Sequence, residues 1–406
     1  MRAAWRLVAL LWFVVLLNYL DRQVIFSLLP LLRRDLALSD TQMGLLATSF
    51  LWIYAAASLA SGFAAARLGA RRVILLSLTF WSAITLLTGA ARNPLELLAA
   101  RALMGLSEAL YLPAALALVA EFHGESTRGR ATALHQSGIY MGIVLGGAFG
   151  GWMGEHFGWR VPFFLLGGIG LLYTPLLAWA LPATPRARAR GDLGAIGFRA
   201  VLRIPGFPAM TAVFALFSMA GWVVVTWMSL YLYERFGMSL VQAGFASTFF
   251  LQAGSFAGIF SGGWITDRWS ARNTLARVHV PAMGFAVSAV FLFLSGAATE
   301  AAVALAAMTA YGIGRGLYDA NIMPLLCLTA RPEQRAPGYG VFNFAGTFTG
   351  GVTALGAGML KSTIGIDGAL RGSALLVVVA TLLLVGPIRR SVRAQAASAH
   401  APKSLP

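Results

Sequence analysis

The sequence predicts an all-α membrane protein with twelve transmembrane helices in two pseudo-symmetric six-helix bundles. Three observations predict it. Hydrophobic residues make up 58% of the 406 residues and charged residues only 11%, against about 25% charged in an average soluble chain. The apolar residues gather into runs that can cross a bilayer, which takes roughly 20 residues per helix. The second half also repeats the first at an offset of 200 residues. Leu32, Ser39, Gln42, Gly44, Thr48 and Phe50 fall on Leu232, Ser239, Gln242, Gly244, Thr248 and Phe250, and Gly146, Gly150 and Gly151 fall on Gly346, Gly350 and Gly351.

In chain order the apolar runs cover about residues 7–31, 42–66, 73–91, 95–120, 131–154, 161–181, 207–233, 241–266, 276–298, 301–329, 337–360 and 368–388. The start of the first run, Arg2 and Arg6 followed by Leu7, has the look of a secretory signal. No small-residue cleavage site follows, so a retained first span is expected. The longest charged interruption runs from Pro182 to Arg203 and carries Pro-Arg-Ala-Arg-Ala-Arg at 185–190. The expected organisation is therefore an N-terminal bundle over 1–181, a cytoplasmic linker over 182–205, a C-terminal bundle over 206–390 and a cytoplasmic tail over 391–406.

The formal net charge of +16 would suit a nucleic-acid binder. The distribution excludes one, because the basic residues form no continuous face. Of the 31 Lys and Arg, 21 fall on one set of alternate loops, seven on the other, and three (Arg22, Arg101 and Arg315) within spans. Basic loops stay on the cytoplasmic side. This places both termini inside and predicts a multi-pass protein of the inner membrane. The single cysteine, Cys327, excludes an internal disulfide and a cysteine-rich metal site. The five histidines show no metal-ligand spacing, and no nucleophile or cofactor motif occurs. No enzyme activity, cofactor or metal is expected.

The informative residues are charges inside the spans. Each costs at least ~2.5 kcal/mol at mid-membrane even on the mildest scale, and persists mainly where it is paired or lines a polar cavity. The fourth run holds Arg101 and Glu108, two helical turns apart and so on one face, with Tyr111 one turn further. The first run holds Asn18-Tyr19-Leu20-Asp21-Arg22. The tenth holds Arg315 and Asp319, which either neutralise each other at i,i+4 or leave Arg315 to meet an anion. His135, Gln136, Gln252 and Asn343 are further intramembrane polar groups. Gln136 and Asn343 are the preferred ligands, because the fifth and eleventh runs occupy equivalent places in the repeat. Trp222 and Trp227 either wall a cavity or face lipid. Arg stays charged and grips a carboxylate bidentately. An acid whose surroundings alternate between an Arg partner and dry protein takes up and loses a proton.

The turn after the second run reads Gly62-Phe-Ala-Ala-Ala-Arg67-Leu-Gly69-Ala-Arg71-Arg72, and the one after the eighth Gly263-Trp-Ile-Thr-Asp267-Arg268-Trp-Ser-Ala-Arg272. The pair resembles the Gly-x-x-x-Asp-Arg-x-x-x-Arg loop of the major facilitator superfamily, although Ala66 stands where the first copy should carry its acid. In that family the loop helps latch the two halves together on the cytoplasmic side, which implies a gating role for Gly62, Arg67, Gly263, Asp267 and Arg268. Asp21, Arg22, Arg101 and Glu108 resemble the charged set of its anion:cation symporter branch, which includes sialin and galactonate and hexuronate transporters. Tyr19 and Tyr54 are similar to that branch's substrate-facing tyrosines.

The resemblance implies proton-coupled symport of a small organic anion, a sugar acid or related carboxylate, by alternating access. Asp21 and Glu108 would carry protons. Tyr19, Arg22, Tyr54, Arg101, Tyr111, Gln136, Arg315 and Asn343 would line the substrate site. The partners expected are the anion, H+ and membrane lipid, with no nucleic acid, and a monomer is expected. Two alternatives stay open. Spinster-like lysolipid or sphingolipid transporters share much of the charged pattern, although Gln136, Gln252, Arg315, Asn321 and Asn343 suggest a wetter cavity. Drug/proton antiporters usually carry Gly-Pro in the fifth run, where this chain has Ala148 and Phe149.

Overall fold

The computed structural model describes residues 2–182, 201–273 and 275–400. Most of the expected linker over 182–205 and the last residues of the tail lie outside them. The described residues are helical nearly throughout: α1 (Arg2–Ser27), α2 (Leu29–Leu36), α3 (Asp40–Leu68), α4 (Ala70–Ala90), α5 (Pro94–Glu108), α6 (Tyr111–Phe122), α7 (Glu125–Phe157), α8 (Arg160–Ala180), α9 (Phe207–Phe236), α10 (Leu240–Ser270), α11 (Ala276–Ala297), α12 (Ala301–Asp319), α13 (Ile322–Thr329), α14 (Pro332–Leu383) and α15 (Arg389–His400).

Among the described residues nine helical stretches are long and apolar enough to cross a membrane. The stretch over 333–394 holds two of the apolar runs. The fifth span, α7, and the tenth, α12 with α13, complete the twelve. Both are diluted by polar residues or glycine, which lowers their hydropathy without shortening them. The eleventh and twelfth runs are separated within the 360–368 gap that the sequence leaves: inside α14 the helix breaks at Gly365, whose φ of 69° turns the chain in a region that favours glycine.

The repeat is visible atom by atom where the second span of each half begins. Ser39 N–H donates to Gln42 Oε1 at 2.9 Å, and Gln42 N–H donates to Ser39 Oγ at 3.2 Å. Ser239 and Gln242 form the same reciprocal pair at 3.1 and 3.2 Å. This is a capping box, which satisfies two orphan N–H groups at a helix start.

The tenth and fourth spans are both broken, and for one reason. Pro113 and Pro324 each lack the N–H that would bond the carbonyl four residues back, and the ring crowds that carbonyl. The carbonyls are those of Ala109 and Ala320, and the helices break there, between Glu108 and Tyr111 and between Asp319 and Ile322.

Two compact units follow from the packing. The first comprises Met1–Arg190, Val224–Phe249 and Gly351–Thr363, and the second Gly191–Val223, Phe250–Gly350 and Ile364–Pro406. In the first unit, a glycine stripe on α7 seats α1. A Cβ at Gly142, Gly146 or Gly150 would lie 2.6, 2.8 or 3.0 Å from the carbonyl oxygens of Leu16, Leu20 and Val24. Such backbone approach is what small residues permit between membrane helices, and it fixes the height of Asp21 and Arg22. Gly147 and Gly151, on the adjoining face, meet the start of α10. Cβ atoms there would come within 2.2 Å of the Gly244 and Leu240 carbonyl oxygens. In the second unit Gly312 and Gly316 of α12 pack the same way on Leu251 and Ser255 of α10.

Candidate substrate and proton site

The charged residues of the first and fourth spans converge in the first unit. Asp21 and Glu108 are buried, and so is Arg101; Arg22 keeps 15% of its side chain exposed. Arg22 Nε donates to Glu108 Oε2. The two-turn spacing of Arg101 and Glu108 suggested an ion pair between them, but the Arg101 guanidinium turns toward α3. Its Nε donates to the Leu46 carbonyl at 3.2 Å and Nη1 lies 3.2 Å from Met104 Sδ. Seven residues span about 10.5 Å of helix, so a partner on another helix is nearer than one on the same face. Arg22 is that partner for Glu108.

Aromatic rings hold both cations. The Arg22 guanidinium carbon lies 4.7, 5.0 and 4.6 Å from the ring centres of Tyr19, Phe50 and Tyr54. Arg101 lies 4.8 Å from the same Phe50 ring. Phe50 therefore serves two guanidinium groups, each attracted to the ring's negative face. Sequence reasoning noted Phe50 only as a repeat position, because a phenylalanine in an apolar run carries no signal of its own. Gly105 brings these elements together. A Cβ there would lie 2.4 Å from the Phe50 carbonyl oxygen and 3.1 Å from Tyr54 N, so α5 and α3 touch through backbone.

Asp21 points away from its neighbour Arg22. Its Oδ2 accepts from Thr85 Oγ1 of α4 at 3.2 Å, while Oδ1 is buried without a hydrogen-bond partner. Glu108 Oε1 is likewise buried, with the Asn18 side chain as its neighbouring donor. Thr85 was missed in the sequence, since a threonine in a hydrophobic helix usually bonds its own backbone; here it also bonds the Trp81 carbonyl at 2.9 Å.

Tyr111 stands in the first unit as a buried strut. It is 1% exposed, its hydroxyl donates to the Leu11 carbonyl at 2.8 Å, and its ring packs edge-on against Trp81. A phenol has one proton, so the 3.1 Å contact with His135 Nε2 must be an N–H donated by the histidine. That makes His135 a buried bridge from α7 to α6, while its neighbour Gln136 is exposed. Trp222 and Trp227 both pack on α14. Trp222 covers Gly350, and buried Trp227 donates Nε1–H to the Ala354 carbonyl at 3.1 Å. Neither faces lipid only.

In the second unit Arg315 and Asp319 bond each other at 3.3 Å and are 29% and 36% exposed. Asn343 is half-buried on α14. In the turn after the eighth run, Asp267 pairs with Arg277 at 3.1 Å, and Arg268 lies 5.7 Å from the Trp264 ring centre. At the 201-residue offset that aligns Asp267 with Ala66, Arg277 aligns with Leu76. The first turn thus lacks both members of the pair, and Gly69, at φ 85°, makes its bend. Arg67 is exposed.

At the far end of the first unit four charges close a ring. Arg33 lies 3.4 Å from Asp40 and 3.2 Å from Glu234; Lys361 lies 3.1 Å from Asp40 and 3.0 Å from Glu234. Beneath it Thr48 Oγ1 donates to the Gly351 carbonyl at 2.8 Å and Ser27 Oγ to the Gly147 carbonyl at 3.1 Å. Segments from both sequence halves are thus stitched together at this end.

Comparison with known proteins agrees with this geometry. A model of the Major Facilitator Superfamily matches residues 11–355. An MFS-type efflux pump of Mycolicibacterium smegmatis is 31% identical over 95% of this chain and 92% of its own length. A probable galactarate/D-glucarate transporter of Escherichia coli is 27% identical over 96% of this chain and 94% of its own. Among solved structures, a bacterial homologue of the human lysosomal transporter Spinster, inward-facing and unoccupied, superposes with a TM-score of 0.84 at 19% identity, covering 97% of this chain and 98% of that one. The last likeness establishes the fold. The relatives are transporters, not enzymes.

Proposed function

Because this chain belongs to the Major Facilitator Superfamily, we propose that it is a proton-coupled symporter of a small organic anion, a sugar acid or related carboxylate, working by alternating access of two six-helix halves, 1–181 and 206–390. It sits in the inner membrane with both termini cytoplasmic, and the ring of Arg33, Asp40, Glu234 and Lys361 closes the outer end. The observation that carries the reading is the buried cluster in which Glu108 pairs with Arg22. When Glu108 is protonated, Arg22 loses its carboxylate and becomes the grip for a substrate carboxylate. Phe50 keeps Arg101 close, so the site stays positive enough to attract an anion.

Charge balance supplies the coupling. Within the spans Asp21, Glu108 and Asp319 oppose Arg22, Arg101 and Arg315. The sum is zero with all six ionised. One substrate carboxylate makes it minus one, and burying an uncompensated charge is costly. A proton taken with each carboxylate restores neutrality, which makes two for a dicarboxylate such as galactarate. The substrate class is supported by the galactarate/D-glucarate relative.

The test uses purified protein in proteoliposomes and labelled galactarate. An acid exterior should drive accumulation, and a protonophore should abolish it. Glu108→Gln should still exchange galactarate between two pools while losing gradient-driven accumulation. Full accumulation by both Glu108→Gln and Asp21→Asn would sink the coupling scheme. The efflux-pump relative favours a second reading, drug/proton antiport. In the same vesicles that reading predicts movement of a lipophilic cationic dye against the proton gradient and no galactarate uptake.

A further inference from the structure

The two proline breaks put one acid in the same place in each half. Glu108 is the last residue of α5 and Asp319 the last of α12; each stands five residues before the proline that breaks its span. Each is ion-paired with an arginine, Glu108 with Arg22 and Asp319 with Arg315. Each helix is held by a glycine seated on a neighbouring backbone, Gly105 on α3 and Gly316 on α10. The equivalence is not evident from the 200-residue offset, because these residues align at 211. It emerges when the helix breaks are aligned.

An acid that must exist in two protonation states needs two kinds of partner. The carboxylate needs a cation. The protonated form has an O–H donor and needs an acceptor. Proline removes the N–H that would bond the carbonyl of the residue after the acid, Ala109 in one half and Ala320 in the other, so each break frees one backbone acceptor next to the acid in sequence. The two sites differ in access. The Glu108 side chain is fully buried, whereas Asp319 is 36% exposed. The charged partner of Asp319 is Arg315. Buried Tyr311 and Tyr318 lie on the same helix, with phenol oxygens that make no hydrogen bond, and Tyr339 of α14 is the further titratable group near Tyr318.

We propose that Asp319 is a second proton-carrying carboxylate, the C-half counterpart of Glu108, and that it loads from the side to which it is open while Glu108 is closed. This rests on the symport reading above and adds one proton to its stoichiometry. Arg315 is freed toward a substrate carboxylate only when Asp319 is protonated, which is the same exchange as at Arg22.

The experiment is the proton-to-galactarate ratio, from reversal potentials in proteoliposomes, for wild type, Asp319→Asn and Asp319→Glu. Asp319→Asn should keep galactarate exchange and lose one proton from the ratio, lowering steady-state accumulation about tenfold per pH unit of gradient. Asp319→Glu should restore the ratio. An unchanged ratio in Asp319→Asn overturns the proposal and leaves Arg315–Asp319 as a self-neutralising pair. If the single variant does not fold, Arg315→Gln with Asp319→Asn removes both charges and leaves none unpaired, and the same lost proton is expected. If wild type moves no galactarate, the symport reading fails by itself. Asp319 is then read by infrared difference spectra between acid and alkaline pH in an Asp21→Asn, Glu108→Gln background. A protonated-carboxyl band that disappears with Asp319→Asn supports a titrating Asp319, and its absence refutes one.

Discussion

Replacing Lys361 with Gln should open the outer end. Its ammonium makes two of the four ion pairs of the ring, at 3.1 Å to Asp40 and 3.0 Å to Glu234, and its side chain is only 10% exposed. Exposed pairs contribute about 0.2–1 kcal/mol each. A sheltered Lys361 belongs near the top of that range for both, so the substitution removes roughly 2 kcal/mol from the closed state. That corresponds to about a 30-fold rise in the open population. Ser27→Cys in a Cys327→Ala background reports on it, because Ser27 is fully buried beneath the ring against Gly147. Its rate of modification by an impermeant maleimide follows the open fraction when opening is fast. The expected result is a rise of about one order of magnitude or more with Lys361→Gln. High salt should move the wild type the same way, since the screening length falls from about 10 Å at 0.1 M to about 3 Å at 1 M. Equal labelling in both proteins, with no response to salt, would refute the ring as a closure and leave it as surface decoration.

Four further outcomes are expected. Arg22→Lys keeps the charge but loses the planar fork and its contact with three rings, so galactarate affinity should fall sharply in a binding titration; equal affinity would remove Arg22 from the substrate site. Arg101→Lys should instead lower thermal stability by about 1–3 kcal/mol, since the buried guanidinium tie to the Leu46 carbonyl is lost. Gly105→Leu should cost more than Gly105→Ala, and both should reduce folded yield, because even a Cβ would lie 2.4 Å from the Phe50 carbonyl oxygen; a normal melting temperature for Gly105→Leu would show that α3 and α5 separate easily. For topology, a cysteine at Ala189 should resist an impermeant maleimide in intact cells, while one at Asn93 should react; equal labelling overturns the orientation.

Most of the helical layout was legible in the sequence, because membrane insertion depends on hydropathy summed along the chain and needs no knowledge of neighbours. The resemblance of the turn at Asp267 and of Asp21, Arg22, Arg101 and Glu108 to known motifs pointed to the superfamily that the family match then established. Charges in apolar runs were visible as a group because each is expensive there. Their pairing was not. Glu108 and Arg101 share a helix face, yet Glu108 meets Arg22 because the glycine stripe of α7 sets the height of α1. Phe50 and Thr85 were hidden because their residue types are ordinary in a membrane helix. Tyr111 was placed by its helix face, and its bond to the Leu11 carbonyl was not legible there. The charged ring joins residues as much as 321 positions apart, and only packing brings them together. The sequence by itself determined which segments cross the membrane and which charges they carry. Tertiary structure alone decided which of those charges meet, since that depends on the relative height and rotation of helices, quantities set by close glycine contacts between them rather than by any local pattern.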